Sequence, residues 1–475
     1  MFKVNTDKNL IKKLYISALV FLISTMIITT FFDYQISTFF TKGMDVYFLR
    51  QLVNFFSSGG NFVITIPIAI IVAVLLETIF YKYQVKSNFI KWIPYVLLVV
   101  GVIFFGALYC IKKSILNFED DIKNFTMESI WIKSLTTWKE PIIICSIWIV
   151  IMAMVLTSGS IYFRNNFSRR DDIITSKYWI GALEMTVAFI LGYFFVLFFK
   201  QFFGRPFYFS VEYRDLFGMN DTNNVNTLFS DLTLENYKEH VGAKLLIDEY
   251  LRVKPDADFD TEIIPWMTKT ILNSPYGPAP EPVKNWSYWF IPNNFFGDPI
   301  KFLLIFHKGS AHTVDEVTGA IQWSSQSFNN DFPSGHIQAS LVTFGVFFII
   351  RRSGKVNFKD WRIITFIIVW GLYCLGTFFF MIVYRFHWIT DMIFSPILYL
   401  IFLPVAKNKT EKWVYRLILK FSKTKRVWIC NEDNITQYRI IFNGNYETFK
   451  VIKKKKKAYK YEYKLKIKYK NIQFE

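Results

Sequence analysis

Long apolar stretches limit the fold class of this chain more than any other feature of its sequence. Eight runs of roughly 15 to 22 residues carry few charges, and 52% of all residues are hydrophobic. A helix needs about 20 such residues to cross the hydrocarbon core of a bilayer. The pattern predicts an all-α, polytopic integral membrane protein. The expected spans of this helical bundle lie near residues 14–32, 62–81, 92–111, 141–158, 178–199, 336–350, 363–383 and 388–405.

Lys and Arg residues in short loops set the expected orientation, because cytoplasmic loops carry an excess of them. With the N-terminus inside, the basic loops all fall on the cytoplasmic side; they contain Lys3, Lys8, Lys12, Lys13, Lys82, Lys86, Lys91, Arg164, Arg169, Arg170, Lys177, Arg351, Arg352, Lys355, Lys359 and Arg362. Glu77 and Glu184 lie near the same face, so we expect them to be partly exposed. The same orientation, with eight spans, places both termini in the cytoplasm. The abundance of Lys, Asn, Ile and Phe is typical of an AT-rich bacterial genome and favours the plasma membrane.

Two hydrophilic regions divide the chain further. Residues 207–332 carry 9 Lys/Arg against 17 Asp/Glu, a net charge of −8, and fall on the extracytoplasmic side. Residues 406–475 carry 20 Lys/Arg against 6 Asp/Glu and supply +14 of the chain's +18. Polar and apolar residues alternate in 437–442 and 459–469, which predicts short strands in this tail.

Three interpretations of the basic tail stay open. The first is a solvated cytoplasmic tail that follows the positive-inside rule. The second is contact with anionic lipid headgroups, where each surface Lys or Arg contributes about 1 kcal/mol. The third is nucleic-acid binding, for which the tail has no recognised motif, so we do not expect a nucleic-acid partner.

Residues suited to catalysis gather where three distant segments reach the extracytoplasmic side. The fifth span ends with residues 200–206, the sixth begins with residues 333–336, and the turn before the eighth carries Arg385, His387 and Asp391. The order of the spans puts all three segments at one membrane face. Two of the chain's five histidines lie there. The sequence therefore predicts one site with two imidazoles and a carboxylate.

The residue types in these segments are suited to phosphate chemistry. A neutral imidazole nitrogen accepts a phosphoryl group when a carboxylate holds the other nitrogen. A spacing of four places His387 and Asp391 on one face of a helical turn. Pro333 and Gly335 at a helix start expose unpaired N–H groups, and such a terminus binds anions. These patterns indicate phosphoryl transfer at a membrane surface.

The three motifs resemble those of the type 2 phosphatidic acid phosphatases, also called lipid phosphate phosphatases, over roughly residues 178–405. The resemblance implies a six-helix core in which the first motif ends one helix, the second opens the next and the third joins the last two. It divides this chain into an N-terminal transmembrane region of about four helices (1–177), a catalytic core (178–206 and 333–405), an acidic extracytoplasmic insertion (207–332) and a basic cytoplasmic tail (406–475).

The resemblance also implies the role of each catalytic residue. His387 would be the nucleophile that takes the phosphoryl group, Asp391 would orient it, and His336 would protonate the departing lipid alkoxide. Ser334 and the backbone N–H of Gly335 would hold phosphate oxygens. The family needs no metal or other cofactor.

The cations of the site depart from the family's pattern. Phe207 and Met381 stand where the family has arginine. We expect Arg205 and Arg385 to supply the missing guanidinium groups, with Lys200 as a further phosphate-binding cation. The alternative for Lys200 and Arg385 is a membrane anchor whose charged head reaches the interface.

By this resemblance the chain is a metal-independent phosphoric monoester hydrolase that dephosphorylates a lipid through a phosphohistidine intermediate. Phosphatidate, phosphatidylglycerophosphate and polyprenyl diphosphate are candidate substrates, and the sequence does not rank them. A lipid phosphotransferase would use the same residues. Another alternative is a catalytically impaired protein of the same fold that binds lipids or serves as a binding platform, and the two absent arginines favour it.

Overall fold

The computed structural model describes residues 8–111, 139–205, 208, 233–239, 244, 247–248, 250–251, 254–265, 288–291, 311–314, 321–324, 332–354, 358–384, 387–421, 425–432, 435–442, 445–452, 458, 461–463, 465 and 472–474. Over these residues the chain is mainly helical. Seven helical segments are long and apolar enough to cross a membrane, judged by length and composition. The prediction of a polytopic helical membrane protein is confirmed at this level.

The described α-helices are α1 (Lys8–Thr41), α2 (Tyr47–Val63), α3 (Thr65–Lys82), α4 (Asn88–Ile111), α5 (Lys139–Asn165), α6 (Tyr178–Phe203), α7 (Gly335–Val342), α8 (Val346–Ile350), α9 (Trp361–Val383) and α10 (Ile389–Phe421). Helices α2 and α3 follow each other so closely that residues 47–82 form one candidate span. The other candidate spans lie in α1, α4, α5, α6, α9 and α10.

The sixth expected span, residues 336–350, is interrupted. Helices α7 and α8 are joined by a 3₁₀ turn at Thr343–Gly345. Threonine and glycine, which begin and end this turn, both favour helices less than alanine does. A Cβ on Gly345 would lie 2.7 Å from Cγ of Met185 in α6, so the glycine permits a close approach to that helix. Among the described residues there are therefore seven candidate spans plus this interrupted helix, whereas the sequence predicts eight regular spans.

Paired charges lie buried among the helices at the end that the sequence assigns to the cytoplasm. Glu77 is 2% exposed, and both of its carboxylate oxygens lie 2.8 Å from Nη1 of Arg164. Glu184 is 0% exposed and binds Arg351 and Arg352. The expectation of partial exposure is wrong for both glutamates. A carboxylate at this depth is stable only when paired, because desolvation strongly disfavours an isolated charge.

The tail after α10 contains a four-stranded sheet. Its strands are β3 (Lys425–Glu432), β4 (Ile435–Phe442), β5 (Asn445–Ile452) and β6 (Ile472–Phe474), in the order β5-β4-β3-β6. The predicted strand at 437–442 is confirmed as part of β4. The described residues within 459–469 are helical, so the second predicted strand is wrong there. In the insertion, β1 (Ala311–Val314) pairs antiparallel with β2 (Ile321–Ser324).

The last turns of α10 hold this sheet in place. Tyr415 and Leu419 are 1% and 2% exposed and pack against Val427, Tyr438 and Ile440 of the sheet. Helix α10 runs to Phe421, past the expected start of the tail at residue 406. The tail is therefore a small folded unit attached to the last helix.

Candidate functional site

Two histidines from separate segments meet where α7 and α10 begin. His336 is the second residue of α7, and His387 lies two residues before α10. Their ring centroids are 6.0 Å apart, with the ring planes at 69°. His387 is 2% exposed, whereas His336 is half-buried. A small group that contacts His387 is therefore within reach of His336.

Asp391 lies beside His387 and also caps α10. Its Oδ2 is 3.8 Å from Nδ1 of His387 and accepts a hydrogen bond from the backbone N–H of Trp388 at 3.0 Å. A carboxylate at the third position of a helix commonly accepts from this N–H group. The spacing of four predicted that His387 and Asp391 share one face of a helix, and this is wrong because His387 precedes the first residue of α10. The N-terminal turn of α10 brings the two side chains together instead.

Ser334 precedes α7, and α10 holds both of its backbone groups. Its N–H donates to the carbonyl of Asp391 at 3.2 Å, and its carbonyl accepts from Oγ of Ser395 at 2.8 Å. The Oγ of Ser334 is buried, does not cap α7 and has no hydrogen-bond partner among the described residues. Next to it, a Cβ on Gly335 would meet no described atom within 4 Å. Among the described residues, the space at Gly335 is therefore open beside a buried hydroxyl and the first N–H groups of a helix, which is an arrangement suited to an anion.

Arg205 lies deep in the site, where the end of α6 turns back into the bundle. Gly204 ends α6 in the left-handed conformation, with φ of 55°, and its N–H donates to the carbonyl of Lys200 at 3.1 Å. Glycine adopts this conformation without a Cβ clash, which explains the sharp turn. Arg205 follows immediately and is 1% exposed.

The guanidinium of Arg205 binds two carboxylates. Nη1 lies 2.7 Å from Oδ1 of Asp391 and 2.7 Å from Oγ1 of Thr390, and Nη2 lies 2.6 Å from Oδ2 of Asp33 in α1. Cζ of Arg205 also lies 4.5 Å from the ring centroid of Trp388. The planar guanidinium of arginine can present its two Nη atoms to separate acceptors in this way. Arg205 therefore ties α1, α6 and α10 together and fixes the carboxylate beside His387.

Aromatic side chains enclose this charged cluster. The ring centroids of Tyr208 and Trp388 are 5.1 Å apart, and both residues are 0% exposed. Tyr34 of α1 lies 6.4 Å from Trp388, centroid to centroid. The low polarity of these rings strengthens the electrostatic contacts of Arg205.

Helix α2 closes the site on the side of His336. A Cβ on Gly60 would lie 2.3 Å from Cδ2 of His336. Only glycine lets the imidazole rest against the backbone of α2 here. This glycine therefore helps to fix the position of one of the two histidines.

Of the two other predicted cations, Lys200 and Arg385, the structure describes Lys200. Lys200 is half-buried in the last turn of α6. Met381 is 0% exposed in an apolar cluster with Val53, Ile337 and Met392, so that position carries no charge. Arg385 and Phe207 lie outside the described residues. The phosphate-binding roles of Lys200, Arg205 and Arg385 stay predictions.

Sequence reasoning missed Asp33. Its carboxylate binds Arg205 and accepts hydrogen bonds from the backbone N–H and the hydroxyl of Thr390. The available signal was an ionisable residue at the end of an apolar run, which is rare in membrane helices unless it has a partner. The expected first span ended at residue 32, whereas α1 runs to Thr41 and contains Asp33.

The comparisons with known proteins give this chain a relative but no family. A protein of Mycoplasma capricolum subsp. capricolum, described as uncharacterized, is 24% identical over 395 residues, which are 81% of this chain and 88% of that protein. No family model matches the chain, and no solved structure matches it. The resemblance to the phosphatases therefore depends on the motif residues alone.

The described site brings together two imidazoles, a carboxylate and a helix start. One imidazole is buried beside a carboxylate, a second imidazole lies across a short gap, and a helix start with an orphan hydroxyl adjoins them. Among the described residues, no three His, Cys, Asp or Glu side chains form a group suited to a metal ion. Metal-independent chemistry stays a prediction.

Proposed function

We propose that this chain is a membrane lipid phosphate phosphatase of the type 2 phosphatidic acid phosphatase kind. The observation that carries the proposal is the meeting of His336 and His387, from distant segments, beside the buried Asp391. Phosphatidate, phosphatidylglycerophosphate and polyprenyl diphosphate remain the candidate substrates. A phosphomonoester or terminal phosphate of a lipid is the group on which these side chains would act.

His387 would act as the nucleophile through Nε2, because Nδ1 faces Asp391. Nε2 forms the bond to phosphorus while the bond from phosphorus to the lipid oxygen breaks. The Nδ1–Oδ2 separation of 3.8 Å exceeds a hydrogen bond, and such contacts often shorten when substrate binds. The ring of the resulting phosphohistidine is imidazolium-like, and the neighbouring carboxylate of Asp391 would stabilise its positive charge.

His336 would supply a proton to the departing lipid alkoxide. In the second step it would take a proton from the water that attacks phosphorus, and the phosphorus–nitrogen bond would break to release inorganic phosphate. General acid–base catalysis of this kind typically contributes about 10²- to 10⁴-fold in rate. The half-buried position of His336 is consistent with access by a lipid headgroup.

The start of α7 would hold the phosphate oxygens. Ser334 offers its buried Oγ, and the first N–H groups of the helix lie beside the open space at Gly335. The helix dipole favours an anion at this end. Lys200 and Arg385 are the proposed cations for the phosphate, since Met381 stands where the family has arginine.

A second candidate function is a non-catalytic lipid-binding or platform protein of the same fold. The engagement of Arg205 by two carboxylates and the apolar surroundings of Met381 favour it. Both observations reduce the positive charge available to a phosphoryl transition state, which spreads its negative charge over three oxygens. The preserved pair of histidines favours the phosphatase.

For the orientation we propose both termini in the cytoplasm, the site at the extracytoplasmic face and residence in the plasma membrane, on the basis of the basic loops. A fluorescent protein fused after Glu475 folds only in the cytoplasm, whereas a periplasmic phosphatase reporter is active only outside. Fluorescence without reporter activity in a bacterial host is expected. The reverse result would place the site at the cytoplasmic face.

The deciding experiment is phosphate release from a panel of lipid phosphates by the purified protein in detergent with EDTA. His387→Ala is expected to abolish release, and acid-labile phosphate on the protein should disappear with it. His312→Ala, which removes a histidine of β1, is the matched control and should keep full activity. No release by folded wild-type protein from any lipid would favour the non-catalytic candidate.

A further inference from the structure

A cavity of about 590 Å³ lies at the end of the bundle opposite the histidines. It is formed by the N-terminal part of α1, by α8 with the preceding turn, and by the middle of α10. Asp391 and Lys407, both in α10, are 16 residues apart, so the cavity mouth lies about 24 Å from the site along this helix. The two features are therefore separate.

The lining of this cavity is amphipathic. Its walls are apolar and aromatic and include Phe344, Phe347 and Leu403. Lys12 and Lys407, both exposed, stand at its edge. The volume falls in the range of small-molecule sites, which are mostly apolar with a few placed polar groups. Apolar walls with cations at the edge match a molecule that has acyl chains and an anionic head.

The cavity also contains a polar group without a described partner. Tyr399 is 5% exposed and lines the cavity, and its hydroxyl has no hydrogen-bond partner among the described residues. Burial of a hydroxyl is unfavourable when its hydrogen bond is not made. Arg351 also lines the cavity, with its Nη2 bound to Glu184 at 2.6 Å and its side chain 26% exposed. Tyr399 therefore offers a donor deep in the cavity, and Arg351 offers a further charge.

We propose that this cavity binds an anionic glycerophospholipid of the adjacent leaflet, with its headgroup phosphate at Lys12 and Lys407 and an acyl chain along the aromatic wall. Tyr399 donates a hydrogen bond to the lipid's ester or phosphate oxygens. The loops at this end of the bundle are rich in Lys and Arg, which places the cavity at the headgroup level of a membrane surface. The bound lipid fills the space between α1, α8 and α10 and stabilises their packing. The site is separate from the proposed phosphatase site.

The test is thermal unfolding of the purified full chain in detergent with added lipid. Phosphatidylglycerol is expected to raise Tm in a saturable manner, and phosphatidylcholine with the same acyl chains is expected to have little effect. Lys12→Gln with Lys407→Gln should raise the half-saturating concentration of phosphatidylglycerol on the order of tenfold or more. Tyr399→Phe removes only the hydroxyl and should raise it about 3- to 10-fold.

The matched control replaces two lysines of α10 that lie outside the cavity. Lys409→Gln with Lys412→Gln makes the same charge change at exposed positions that do not line the cavity, and should leave the phosphatidylglycerol response unchanged. Equal stabilisation by both lipids would overturn the proposal, as would equal loss of response in the control variant. A response to glycerol 3-phosphate alone would also overturn it, because the site would then recognise free phosphate. Tyr399→Phe keeps the proposal testable if the lysine variant does not fold.

Discussion

Arg205 and Asp33 form a buried ion pair that joins the end of α6 to α1. Nη2 of the arginine lies 2.6 Å from Oδ2 of the aspartate, and both side chains are 1% exposed. The same guanidinium binds Asp391 beside His387. The position of the carboxylate that would activate the nucleophile thus depends on a residue of the first helix, more than 350 positions earlier in the chain.

Removing the charge of Asp33 should destabilise the protein strongly. Asp33→Asn removes the carboxylate charge that accepts hydrogen bonds from Arg205 and Thr390 at a buried position, and hydrogen bonds to charged groups typically contribute about 1.5 to 3 kcal/mol each. Thermal unfolding in detergent measures the loss. The control is Asp172→Asn, whose carboxylate pairs with Arg170 and accepts hydrogen bonds from Ser176 and Tyr178; the paired side chains of Arg170 and Asp172 are both more than one-third exposed, so this variant should cost less than Asp33→Asn. Equal stability losses in the two variants would contradict the role assigned to the buried pair.

Ser334→Ala should separate binding from stability. The Oγ of Ser334 has no described hydrogen-bond partner and does not cap α7, so its removal should leave Tm unchanged or raise it slightly. If the hydroxyl holds a phosphate oxygen, KM for the lipid phosphate should rise about tenfold with little change in folding. Ser395→Ala is the opposite case, because its Oγ donates to the carbonyl of Ser334 and its loss should cost about 1 kcal/mol. A lower Tm with unchanged KM in Ser334→Ala would refute the binding role.

His336→Ala should show a dependence on the leaving group. A general acid matters most when the departing oxygen is a poor leaving group, as in an alkyl phosphate. We expect the variant to lose about 10²- to 10⁴-fold in kcat on a lipid phosphate but far less on an aryl phosphate such as p-nitrophenyl phosphate. His387→Ala should lose activity on both. Equal losses of His336→Ala on the two substrates would indicate that His336 binds or positions the phosphate and does not act as an acid.

Gly60→Ala should displace His336. The added Cβ would lie 2.3 Å from Cδ2 of the imidazole, so the ring must shift. A misplacement of about 1 Å can reduce the rate of a catalysed step by about 100-fold. Gly101→Ala in α4 meets no described atom within 4 Å and is the control; it should keep wild-type activity, with Tm unchanged or slightly higher because alanine favours a helix more than glycine does. Full activity of Gly60→Ala would show that His336 does not need its observed position.

The folded tail should depend on the buried face of α10. Leu419→Ala removes a 2% exposed side chain from the contact with the sheet and should destabilise the tail by about 2 to 5 kcal/mol. Leu417→Ala, at a 53% exposed position on the same helix, should change stability by less than about 0.5 kcal/mol. Limited proteolysis between α10 and the C-terminus should be faster in the first variant alone. Equal cleavage of both variants and wild type would mean that the tail folds without α10.

The sequence by itself determined the class of the protein. Apolar runs of bilayer length predicted a polytopic helical bundle, and charge separated the acidic insertion from the basic tail. These features follow from transfer energies that act residue by residue, so they can be inferred without coordinates. Local motifs also indicated that His336, His387 and Asp391 lie at one end of the bundle.

The ion pairs, and the contacts that fix individual side chains in the site, depend on packing in three dimensions. Arg205 pairs with Asp33, and Gly60 contacts His336, across segments far apart in the chain. The same packing buries the hydroxyl of Ser334 without a partner among the described residues. Glu77 and Glu184, which the sequence predicted to be partly exposed, are buried partners of arginine for the same reason. A buried charge is stable only beside its counter-charge, and which helix supplies that counter-charge is fixed by packing in three dimensions and not by local sequence pattern.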